Sequence, residues 1–169
     1  MSEPILEQIN AWLVSAIEDI TTANGYHQDL AVVRPGDLEE AEAPVEDLTT
    51  IVGLEDPEPL GPRTRAGLRW RQPFGIITFF VGQGGTAVSI DKRINRVRSD
   101  IEKRIGVELT AASEAGGRIP PASLCNNLAD DIDLLAPEIF IDTENKASVL
   151  LCRVAISYRV SATTPYSQT

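Results

Sequence analysis

The sequence predicts an α+β protein: two main helices packed on a mostly antiparallel mixed β-sheet, with a long loop or hairpin extension, in one domain over residues 1–169. Three observations carry this. Two stretches, one starting at Ile5 and one ending at Ile105, repeat apolar residues at the helical period. The segment from Leu150 to Val160 alternates apolar and polar residues, the period of a strand with one buried face. Helices and strands are grouped along the chain, without the regular strand–helix alternation of parallel α/β folds.

The first helix places Ile5, Ile9, Trp12, Leu13, Ala16, Ile17 and Ile20 on one stripe. Ser2 can cap it, Pro4 suits its first turn, and Glu3 and Glu7 sit at the end where the dipole favours acids. Gly25 supplies the stop. Leu30 to Arg34 predicts a short strand ended by Pro35-Gly36. Residues 37–47 are acidic and poor in large apolar groups, which predicts a solvated loop.

Leu48 to Leu54 predicts a second strand, rich in Thr, Ile and Val. Pro57, Pro59, Gly61 and Pro62 then exclude a regular helix or a central strand. From Leu68 to Val81 the chain predicts one long or bent strand whose end, IITFFV, is apolar on both faces, as in the middle of a covered sheet. Gly82, Gly84 and Gly85 turn the chain into the second helix, from about Val88 to Ile105. Its buried stripe is Ile90, Ile94, Val97, Ile101 and Ile105, and Gly106 ends it. A Gly- and Pro-containing connection follows at 113–121. A short helix is then expected with Leu124, Leu128, Ile132 and Leu135 on one side, and after it a brief strand from Glu138 to Asp142.

Composition narrows the function classes. The hydrophobic fraction of 43% is that of a globular protein. No apolar run reaches the roughly 18 residues of a membrane span, and MSEPILEQIN has neither the basic start nor the apolar run of a secretory signal. Cys125 and Cys152 have no CxxC spacing and no histidine neighbours, which suggests two unpaired thiols in a reducing compartment. The net charge of −10 argues against a general nucleic-acid or membrane-surface binder. That charge is uneven: residues 1–60 carry 14 acids and one base, residues 61–104 carry 10 bases and 3 acids, and residues 105–169 carry 8 acids and 4 bases. Such polarity either steers separate surfaces together or neutralises itself inside one fold.

No catalytic, cofactor or metal constellation emerges. His27 is the sole histidine, in a polar loop, with Asp29 too close in sequence to identify a partner. GQGG lacks the Lys-Ser/Thr of a phosphate loop and needs its glycines for the turn alone. Asp130, Asp131 and Asp133 lack the spacing of a calcium loop. The segment RTRAGLRWR is more distinctive. If extended, it puts Arg63, Arg65, Arg69 and Arg71 on one side, where guanidinium forks suit a carboxylate-bearing partner and Trp70 would be an interface anchor. The alternative is an exposed edge strand kept soluble by charge.

Three segments together carry a family resemblance. The first helix running into ITTANGY, followed by an Asp and a strand ending in VRPG, resembles the opening of small tail-completion and minor tail proteins of double-stranded DNA phages. SIDKRINRVRSDIEKRIG, with Asp100 mid-length, looks like that family's central helix, and VAISYRV followed by TTPYS is similar to its final strand. The resemblance spans most of the chain; residues 37–72 and 107–145 match nothing specific. It implies a tail terminator: an α+β protomer of a virion tail or neck, present in the host cytoplasm during assembly, that forms a hexameric ring on the tail tube. Its partners would be copies of itself, the tail tube protein and a head-completion or stopper protein. It implies no enzyme activity, cofactor or metal. Other readings are a head-tail stopper, a tail tube subunit, or a non-viral α+β protein-binding module.

Overall fold

A computed structural model describes residues 4–33, 46–61, 67–81, 89–114, 125, 128–142 and 147–160, the side chains of 107–114 and 142 excepted. The fold is α+β, and the described residues form two helices and a mixed, mostly antiparallel sheet of seven strands. The helices are α1 (Ile5–Glu18) and α2 (Ile90–Glu114). The strands are β1 (Ala31–Val33), β2 (Thr49–Leu54), β3 (Glu58–Pro59), β4 (Leu68–Val81), β5 (Asp131–Leu134), β6 (Glu138–Asp142) and β7 (Ala147–Val160).

The sheet is organised around one long antiparallel pair. β4 and β7 match residue for residue from Leu68 opposite Val160 to Val81 opposite Ala147. β2 and β3 line the far edge of β4, and β1 adds to β2 in a parallel pairing. β5 and β6 lie end to end along the far edge of β7.

Pleating gives the sheet two unlike faces. Phe74, Ile76 and Phe80 of β4 and Leu150, Cys152, Val154 and Ile156 of β7 are buried on one face. There they form one core with Ile5, Ile9, Leu13 and Ile17 of α1 and Ile94, Val97, Ile101 and Ile105 of α2. Thr50 and Thr78, opposite each other in this core, satisfy each other through their hydroxyls at 3.1 Å. The opposite face carries Ile77, Phe79, Val149 and Leu151, which are only half-buried, and beyond them a set of arginines. Among the described residues, the full cover expected on both sides of IITFFV is present on one side.

The strands predicted at 30–34, 48–54, 68–81 and 138–142 are in place, and β7 begins three residues before the predicted start at Leu150. Ser2, the Pro35-Gly36 turn, nearly all of the acidic loop, and Gly82 to Val88 lie outside the described residues. Pro4 occupies the cap position, one residue before the first turn. Gly25, in the left-handed region at φ 82°, closes a short 3-10 turn (Thr22–Asn24) that follows the end of α1 at Glu18.

Two expectations are corrected. Gly106 does not end the second helix, which continues to Glu114. A glycine stops a helix by turning left-handed, and Gly106 keeps helical φ while paying only the intrinsic helix penalty. The short helix expected through Leu128 and Ile132 is replaced at 131–134 by β5. The spacing of four between Leu128 and Ile132 imitated a helix, but Asp130, Asp131 and Asp133 are weak helix formers, and the edge of β7 offers their backbone a ladder.

Candidate partner interface

The arginines predicted to form a stripe divide. Arg63 and Arg65 lie outside the described residues. Arg69 and Arg71 share the face of β4 opposite α1 and α2, as the alternation predicts. Trp70, between them, turns to the other face, opposite Tyr158, and packs partly buried against the core, so it is not an exposed anchor. β4 is a central strand, which removes the edge-strand alternative.

Arg69 and Arg71 both meet acids of their own chain. Asp130 Oδ2 lies 3.4 Å from Arg69 Nε, and Asp133 Oδ2 lies 3.2 Å from Arg71 Nη2, with Glu58 at 3.6 Å on the other side of Arg71. β7 adds two more: Arg159, 3.0 Å from Asp130, and Arg153, 2.9 Å from Glu55 and also bonded to Glu138. Glu138 and Glu55 both raise the Arg153 pKa, Glu138 most strongly. Gly75 stands opposite Arg153, and a Cβ there would come within 3.3 Å of Glu55 Oε1 and of Leu151. The bare backbone leaves room for the Glu55–Arg153 pair.

The charge polarity of the sequence is neutralised in part inside the fold. Arg71, Arg93 and Arg104, from the basic stretch, pair with Glu58, Asp47 and Asp19, from the acidic one. The arginine ladder is thus a satisfied network whose exposed members keep most of their hydration.

Apolar exposure is concentrated elsewhere, along the β5–β6 margin. Ile139, Phe140 and Ile141 of β6 are 47%, 53% and 57% exposed, with Leu134 and Leu135 just before them at 37% each. β6 pairs with β7 on one edge, and among the described residues no strand pairs with its other edge. Three consecutive half-exposed large apolar residues on a sheet margin are costly to leave in water and ready to accept another chain. The sequence contained this signal as EIFID. Only the topology reveals that the strand is marginal.

A second feature escaped the sequence. The buried Asp100 carboxylate of α2, 1% exposed, accepts a bond from the His27 backbone N–H at 2.9 Å and contacts His27 Nδ1 at 2.7 Å. The His27 ring is 55% exposed, as expected of a loop position, but it has the partner that Asp29 could not provide; Asp29 instead bonds Thr22. Lys103 reinforces the same loop by donating to the Gly25 carbonyl at 2.9 Å and lying over the Tyr26 ring. Together these contacts act as a clamp between the loop and α2.

Cys125 and Cys152 are buried and are not joined in a disulfide. Burial, with a further contribution from Glu102, pushes the Cys152 pKa up to about 12. Among the described residues no group of three or more His, Cys, Asp and Glu side chains could hold a metal ion, and no helix is long and apolar enough to cross a membrane. The class defined at this point is an α+β single-sheet protein with a covered face, a charged face and an apolar margin. No family model matches the chain, and no curated protein matches it.

Proposed function

We propose that this chain is a structural subunit of a tailed-phage particle, a tail terminator that assembles with copies of itself into a ring on the tail tube and joins it to the head-completion proteins. The observation that carries the reading is the apolar margin at Ile139, Phe140 and Ile141. An exposed apolar strip of this kind belongs to a protein that completes its surface with another chain. Two long helices on one face of a mostly antiparallel sheet agree with the protomer that the resemblance implies.

In this reading the arginine ladder stiffens the charged sheet face, and assembly is driven by the apolar margin more than by the basic stretch. The test is native mass measurement and electron microscopy of the purified protein, alone and mixed with tail tubes assembled without it. The expected result is a sixfold ring seated at one end of each tube, with tube ends left bare by a Phe140→Lys variant of unchanged circular dichroism. Protein that never occupies tube ends at any concentration overturns the reading. Binding along the tube wall would point instead to a tube subunit.

A further inference from the structure

We infer that, before it meets any other partner, the protein caps its own β6 edge by pairing antiparallel with β6 of a second copy about a twofold axis through Phe140. This deepens the assembly reading and rests on it only for the later fate of the pair; the pairing itself is argued from β6 alone.

The strand reads Glu138-Ile139-Phe140-Ile141-Asp142, acid–Ile–Phe–Ile–acid, and has the same chemistry in both directions. An antiparallel mate centred on residue 140 therefore meets like with like at every step. Phe140 faces Phe140, each Ile139 faces an Ile141, and position 138 faces position 142. The pleat agrees. Register with β7 puts Ile139 and Ile141 on the helix-bearing face, beside Leu150 and Ser148, and Phe140 on the other, beside Val149. The pairing would cover both apolar strips at once, and aromatic and β-branched cross-strand pairs are favourable ones.

The acids at the two ends are the obstacle, because like charges directly opposite oppose pairing. Here each Glu138 already carries the Arg153 guanidinium, fixed from the neighbouring strand by Glu55 as well. Each end of the paired strands would hold the Arg153 guanidinium beside Glu138. The other end of the sheet is a poorer mate. β1 has three residues, too few to match the five of β6. A second copy of β6 matches the edge in length, face and end chemistry.

The function of such a pair is protection. A free apolar edge invites indiscriminate strand addition, and a weak symmetric dimer keeps it covered until a tighter contact replaces it.

The test is register-specific cross-linking of the full chain. Under mild oxidation Phe140→Cys should give a covalent dimer. Ile139→Cys alone should not, while a mixture of Ile139→Cys and Ile141→Cys should. The buried Cys125 and Cys152 make the parent protein the background control. Sedimentation of the parent should show a monomer–dimer equilibrium, with Phe140→Lys weakening it by more than about tenfold and circular dichroism unchanged. A parent that stays monomeric at all concentrations overturns the inference. So does a dimer in which Ile139→Cys cross-links to itself as readily as Phe140→Cys. A dimer with the expected register that never caps tubes leaves the inference standing and removes the terminator reading. Tube-capping rings without any free dimer do the reverse.

Discussion

Asp130 sits between Arg69 and Arg159, 3.4 Å from one Nε and 3.0 Å from the other, and these two arginines are direct cross-strand neighbours on β4 and β7. Two cations in that position repel, and a single carboxylate from the residue before β5 converts the repulsion into a bridge. Asp130→Ala should therefore destabilise by about 1 kcal/mol, because the arginines are half exposed and water screens much of the effect. The backbone bond from the Asp130 N–H to the Ser157 carbonyl survives that change. Urea unfolding of Asp130→Ala, Arg159→Ala and the double variant isolates the coupling, and additive losses would disprove the bridge.

The clamp at Asp100 leads to a second expectation. Replacing His27 with Ala leaves the buried carboxylate with its backbone partner alone, at a cost of about 1–3 kcal/mol for the orphaned acceptor. Asp100→Ala removes both bonds and should free the loop from Thr21 to Asp29. Hydrogen exchange at the His27 amide should accelerate strongly in Asp100→Ala and little in His27→Ala. Equal protection in both variants would mean that Asp100 does not hold the loop.

The length of α2 makes Ile105 and Gly106 interior positions. Ile105→Ala should cost about 2–5 kcal/mol, as much as Ile94→Ala, because both side chains are fully enclosed. Gly106→Ala should instead stabilise by up to about 1 kcal/mol, since Gly106 is helical and an added Cβ there meets nothing within 4 Å. A thermal melt that drops for Gly106→Ala would show that the helix breaks there.

Cys152 gives a pH signature. Its folded pKa lies at about 12 against 9.0 for the unperturbed thiol. The unfolded state therefore releases its proton first as pH rises, and stability falls through the window from about 9 to about 12. At neutral pH, native protein should leave this thiol unmodified by a disulfide reagent, while denatured protein reacts. The alkaline loss should shrink in Cys152→Ala, and an unchanged profile would place it in other groups such as Tyr158, whose pKa burial also raises.

The sequence made legible those elements whose signals are local. β4 is bounded as predicted because prolines precede it and glycines follow it, and β7 is legible because its residues from Cys152 to Val160 alternate apolar and polar at every position but Ala155. β5 was misread because a four-residue apolar spacing fits a helix as well as it fits chance, and only a neighbouring strand decides between them. The site was less legible than the fold. RTRAGLRWR announced an arginine face, yet the acids that satisfy Arg69 and Arg71 come from β3, β5 and the residue before β5, which no spacing rule connects to it. His27 and Asp100 are 73 residues apart, and a lone histidine carries no address for its partner.

The β4–β7 pair also determines when this protein can exist. Leu68 must wait for Val160, and the fourteen-residue ladder between them encloses α2, β5 and β6 within the loop that it closes. Closing so long a loop costs chain entropy before any ladder bond repays it, so folding should be slow for a domain of this size. Until β7 arrives, Phe74, Ile76 and Phe80 have an open strand edge beside them. The growing chain is most exposed to misassembly in that interval, between synthesis of β4 and synthesis of β7.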